Sequence, residues 1–192
     1  MWKILAGGVL GGILMFGWGF VSHEVLPLGR MGFSEMPNEQ KVVGSLKASI
    51  NEPGLYFFPY TSHKETSKSE QEAWEAKYKE GPVGMMVYHP QGGEVMGPRQ
   101  LGIELGSDVL AAIIAAWLLS LVSVGYGMRV LFVTLLGVVC WVSIEVSYWN
   151  WYGFPRDYAL GQLADQVGGF LVAGLVMAAI VKPSFQQIEM PV

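Results

Sequence analysis

Six ionisable side chains fall beside or inside long apolar runs of this sequence: His23, Glu24, Glu104, Asp108, Glu145 and Asp165. They are the groups with which the chain could do chemistry. Glu145 is the most informative, because it lies within an apolar run, where a charge is costly and as a rule paired or functional. Tyr148 and Trp149 follow it, which places it towards the interfacial end of that run. Glu104 and Asp108 are four apart, on one face of a helix if the helix starts early. Arg30, Arg99 and Arg156 can reach the same level. The simplest reading is a set of salt bridges and caps, with Glu145 paired to an arginine or to a neighbouring span.

Two sharper readings use the same residues. One imidazole with several carboxylates suits a divalent cation, but no tight ligand motif is present and no metal ligand is assigned. A proton or solute path is weaker, since no acidic chain continues towards the opposite side. His89 precedes Pro90 at a strand end and His63 lies in a charged loop, so both read as turn or surface residues. No histidine falls within a span, which leaves bis-histidine haem unavailable from this chain alone. Serines abound, yet no G-x-S-x-G elbow occurs, and no GK[ST] follows the early glycines. No catalytic residue is named.

These groups need elements to hold them, and composition says which. Of 192 residues, 52% are hydrophobic and only 15% charged, against roughly 25% in soluble domains. The charges crowd between Glu24 and Asp108 and nearly vanish over 109–149. A net charge of −4 argues against nucleic acid as a partner. Cys140, the single cysteine, lies in an apolar run, which excludes an internal disulfide and paired-cysteine metal sites.

Four runs reach the length of about 20 residues needed to cross a bilayer: 4–21, 109–126, 130–149 and 163–181. The first lacks a small-x-small exit and reads as a retained signal anchor. Gly7 with Gly11, and Gly8 with Gly12, have the spacing that lets a second helix approach closely, within this bundle or in a dimer. A tight Gly-Tyr-Gly-Met-Arg turn is expected between runs two and three. Between runs three and four, residues 150–162 are aromatic. With Tyr148 and Trp149, the rings of Trp151, Tyr152, Phe154 and Tyr158 form an interfacial belt, or a cradle for a quinone, pigment or lipid tail.

The polar stretch predicts a helix from 37 to 50, a strand over 55–58, and a helix over 68–79 with capping-box spacings at Ser67/Glu70 and Ser69/Glu72. Trp74 and Tyr78 give that second helix its apolar edge. A strand over 83–88 and a Gln91-Gly92-Gly93 turn into a third strand over 94–96 complete the expectation.

The expected architecture is a mainly α membrane protein: four transmembrane helices with a small α+β extracytoplasmic insert between helices 1 and 2. Its parts are an anchor helix (1–22), the insert (23–107), a three-helix transmembrane block (108–182) and a cytoplasmic tail (183–192). Lys3, Arg129 and Lys182 outnumber Arg156 in the short segments, which puts both termini in the cytoplasm, in a bacterial inner membrane. The function expected is that of a non-catalytic accessory or scaffolding subunit, with other membrane subunits or itself, and the lipid bilayer, as partners. The tail from Ser184 would be a contact arm. The alternative is small-molecule or ion binding or transport at the outer cluster, with a bound lipid, quinone or divalent cation. A membrane enzyme acting on lipid or envelope substrates through the same carboxylates and His23 or His89 ranks last.

Overall fold

The computed structural model describes residues 1–62 and 67–184. His63 and the tail beyond Ser184 lie outside the described residues. The chain divides into two units, Met1–Phe33 with Met96–Val192, and Ser34–Val95.

The first unit is helical. Helix α1 spans Trp2–Phe20 and continues through a π-helical turn, Val21–Val25, into a short 3-10 turn at Leu28–Arg30. Helices α4 (Pro98–Ser120), α5 (Tyr126–Tyr152) and α6 (Arg156–Ile180) follow the second unit. All four long helices are extended and apolar enough to cross a membrane, and the chain has the make-up of an integral membrane protein. Helix α1 packs on both α4 and α6, and α6 packs on both α1 and α5. The core is built from Ala112, Ala115, Ala116 and Leu119 of α4, Val133 of α5, and Phe170, Ala173 and Met177 of α6. Small residues dominate it, as expected where backbone proximity replaces hydrophobic drive. Leu10, Ile114, Leu135, Val139 and Leu171 point outwards, where lipid would cover them.

The two glycine pairs serve two different neighbours. A Cβ on Gly8 would lie 2.6 Å from Ile113 Cα, and one on Gly12 would collide with the Val109 backbone, so this pair lets α4 close onto α1. Gly7 faces Val181 and Gly11 faces Met177, so the other pair receives α6.

Helix boundaries differ from expectation where polar residues carry helix past the apolar run. Helix α4 starts at Pro98 because Gly97-Pro98 is a helix opening: proline at the first position lacks an N–H that would go unsatisfied anyway. The Gly97 N–H is held by the Gln100 side chain at 2.9 Å. Residues 96–107, and 24–33 likewise, therefore belong with the bundle and not with the insert. Tyr126 to Arg129 form the first turn of α5, and the expected tight turn falls instead at 121–125. The aromatic link shrinks to three non-helical residues. Gly153, at φ +70°, ends α5, and the Phe154 N–H reaches back to Tyr148 O at 3.3 Å. Pro155 then opens α6.

The second unit holds α2 (Glu39–Ser49), β1 (Gly54–Phe58), α3 (Lys68–Glu80) and β2 (Gly84–Tyr88). The strands pair antiparallel, from Gly54 opposite Tyr88 to Phe58 opposite Gly84. The Ser67/Glu70 capping box starts α3: Ser67 N–H and hydroxyl both donate to Glu70 Oε2 at 2.8 Å. Trp74 donates its indole N–H to Pro59 O at 3.0 Å, and Tyr78 lies 6.4 Å from Phe57. The expected third strand is not formed: only Val95 and Met96 separate Glu94 from Gly97-Pro98, and Met96 takes φ +55°, which no ladder accommodates.

Candidate functional site

The polar groups of the bundle gather where α1 and α5 end and α4 and α6 begin. They form two separate constellations.

The first joins α1 to α6. The π turn, closed by Leu26 N–H to Val21 O at 2.8 Å, lies where Ser22 meets α6. Trp18 and Ser22 are four apart and both grip Asp165: the indole N–H donates to its backbone oxygen at 2.9 Å, and the hydroxyl donates to its carboxylate. His23 Nδ1 lies 3.0 Å from Gly19 O and 2.8 Å from Ser22 Oγ. His23 Nδ1 is also 4.0 Å from the Asp165 carboxylate. Although Ser, His and Asp stand together, serine occupies the middle, its hydroxyl has both the Asp165 carboxylate and Gly19 O, at 3.1 Å, as acceptors, and it has no exposed surface. That is a latch and not a nucleophile with its base. Asp108 lies within electrostatic reach of Glu104, one turn earlier, and of Asp165. Among the described residues no three His, Cys, Asp or Glu side chains converge as metal ligands.

The second constellation joins α5 to α6. Trp141 donates its indole N–H to Ala159 O at 2.7 Å and fixes the register of the two helices. One turn later Glu145 enters the same interface, only 6% exposed. Its Oε2 is buried and has no hydrogen-bond partner among the described residues. Tyr158 is within its electrostatic reach. Beyond it, aromatic rings close the end of the helix pair: Tyr148 to Phe154 at 5.2 Å, Phe154 to Tyr158 at 5.1 Å, Tyr148 to Tyr152 at 5.9 Å and Phe33 to Tyr158 at 6.0 Å. Trp149 and Trp151 stay outside this group, exposed.

The expected salt-bridge network does not form. Ion pairs among the described residues are His23–Asp165, Lys68–Glu72 and Lys79–Glu75, so Glu145 has no arginine. Arg30, Arg99 and Arg156 stay exposed, as do Glu24 and Glu104, because their positions on the helix ends turn them to water. His89 is at the end of β2, where its carbonyl accepts the Gly92 N–H at 3.2 Å.

Three side chains that hold the polar ends of the bundle were missed from sequence: Trp18, Ser22 and Arg129. Gly7, Gly11, Trp18 and Ser22 continue one helical face, so the residues that hold Asp165 extend the glycine stripe. Arg129, read above only as a topological charge, is 4% exposed and donates to Val122 O at 3.0 Å and Val181 O at 2.7 Å. It ties the far end of the bundle together, beside the Ser184 N–H bond to Ser120 O at 2.7 Å.

The fold and its polar groups thus define a class, an integral membrane four-helix bundle with its acidic chemistry at one end and a buried arginine staple at the other. No protein-family model, curated protein or solved structure matches the chain.

Proposed function

We propose that the chain is a non-catalytic accessory subunit of a larger membrane protein assembly, docking through Ser34–Val95. One observation carries this reading. Among its described residues the second unit has no buried side chain, and its two-stranded sheet has two unpaired edges. Leu55 and Val87, directly opposite each other in the ladder, are 66% and 69% exposed. A lone two-stranded sheet is marginal in water, and an open apolar pair beside free edges is what an added strand covers. The occupant is an extended, apolar segment of a partner subunit. Lys3 and Lys182, with the buried Arg129, lie at the end opposite the carboxylates, which supports cytoplasmic termini and an extracytoplasmic insert; the membrane proposed is a bacterial inner membrane.

Photo-crosslinking residues placed at 55 and 87 test this in native membranes. A single partner captured at both sites, and lost with Leu55→Asp, supports it. No adduct at either site, with the chain purifying as a folded monomer, refutes it.

The unpaired Glu145 favours a second reading, ligand binding by the bundle itself. Glu145→Gln should leave the assembly intact under the first reading and remove ligand binding under the second.

A further inference from the structure

The carboxylates of the bundle are not alike. Asp165 has a hydroxyl on its carboxylate, an indole on its backbone oxygen and an imidazole nearby. Glu145 has a buried oxygen with nothing on it. A buried unpaired carboxylate is among the most costly groups a membrane interior can hold, and it needs a proton or a cation. No lysine or arginine of the chain supplies one among the described residues.

What surrounds Glu145 says which cation would fit. A hard metal ion needs several oxygen ligands, and no such set converges. Instead, Tyr158 lies within electrostatic reach of Glu145, its ring packs on Phe154 at 5.1 Å, and Phe154 packs in turn on Tyr148 at 5.2 Å, one helical turn beyond Glu145 on α5. Aromatic faces attract organic cations through the ring quadrupole, most strongly when the cation is desolvated. One carboxylate beside several rings is the recognition chemistry of an alkylammonium group. The depth agrees. Glu145 is seven residues from the last residue of α5, or roughly 10 Å along the axis at 1.5 Å per residue. That is near the headgroup boundary.

We propose that Glu145, Tyr148, Phe154 and Tyr158 form a site for a single alkylammonium group, carried by a phospholipid headgroup or by a free small amine. The site lies wholly within the bundle and does not depend on the accessory-subunit reading.

The test uses the full chain purified in a maltoside detergent, which carries no ammonium group. Tetramethylammonium and choline are titrated while tryptophan fluorescence and the infrared carboxyl bands are followed. Phosphatidylcholine and phosphatidylglycerol are then compared by native mass spectrometry to separate lipid from free amine. Expected is saturable binding of the ammonium probes or selective retention of phosphatidylcholine. Either should be weakened roughly 30-fold by Glu145→Gln, the loss typical when one partner of a buried charge pair is removed. Tyr158→Leu should weaken it too, while Tyr158→Phe, which keeps the ring, should retain most of it. Circular dichroism checks that each variant is folded. No saturable binding of either ammonium probe, together with equal retention of phosphatidylcholine and phosphatidylglycerol, overturns the proposal. So does binding unchanged in Glu145→Gln, or a Glu145 carboxylic-acid band that no probe removes.

Discussion

Replacing Gly8 or Gly12 by alanine should destabilise the bundle, while the same change at Gly17 should not. At Gly8 the new methyl would lie 2.6 Å from Ile113 Cα, so α1 and α4 must part by about 0.8 Å to reach ordinary contact near 3.4 Å. The obstacle is backbone, not a side chain that can rotate away. Overpacking of this kind costs about 1–3 kcal/mol. Alanine offsets about 1 kcal/mol of that through its better helix propensity. A net loss of up to about 2 kcal/mol follows for Gly8→Ala, and no less for Gly12→Ala, which meets the Val109 backbone still more closely. Around Gly17 a Cβ finds nothing within 4 Å, so only the propensity term remains and Gly17→Ala should stabilise by up to about 1 kcal/mol.

Reversible unfolding in mixed maltoside and dodecyl sulfate micelles, followed by far-ultraviolet circular dichroism, measures the difference. The propensity term is common to both classes of variant, so they should separate by the overpacking cost, about 1–3 kcal/mol, in the same helix with the same substitution. If Gly17→Ala loses as much as Gly12→Ala, intimate α1–α4 contact is not what the glycines provide. A dimer interface on the glycine stripe would give another signature, a stability loss that depends on protein concentration.

Arg129→Met should cost about 2–3 kcal/mol, because it removes two charge-assisted bonds to Val122 O and Val181 O. Faster proteolysis at the 121–125 link would confirm it. Ser22→Ala should cost about 1–2 kcal/mol by leaving the Asp165 carboxylate short of a donor, and should shift the His23 Nδ1 nitrogen resonance in NMR. Glu70 is held below its ordinary value of 4.5 by the Ser67 backbone N–H and then its hydroxyl. Its contribution to α3 is therefore complete above pH 4.5 and lost as pH falls through the lowered folded value. Ser67→Ala removes only the hydroxyl, the smaller of the two causes, and should therefore weaken that pH dependence without abolishing it, as read from the Glu70 carboxyl resonance and from α3 amide exchange.

How far the sequence reached depended on whether a signal was local. Four spans were legible because length and hydropathy are properties of single segments. Their ends were not, since 98–107 and 156–162 are polar yet helical, and hydropathy is blind to helix once the apolar run stops. The capping box at Ser67 and the strands at 55–58 and 83–88 rest on neighbours in sequence and were equally readable. By contrast, i,i+4 glycines announce a close approach without naming who approaches. Only the packing shows that Gly8 and Gly12 receive α4 while Gly7 and Gly11 receive α6.

The carboxylates show the same limit and give it a use. Charge inside an apolar run marked Glu145 at once, but its state depends on what α6 brings opposite it. Asp165, at the start of its run, reads from sequence as a member of the same cluster. In the fold they are opposites: Asp165 is satisfied by Trp18 and Ser22 with His23 alongside, and Glu145 by nothing among the described residues. A satisfied carboxylate between two helices is explained by the latch it makes. An unsatisfied one is not explained by packing, since a leucine or glutamine would lie between α5 and α6 at lower cost. The unpaired carboxylate thus lies on the α5–α6 pair, while Asp165, with Ser22 and His23, ties α1 to α6.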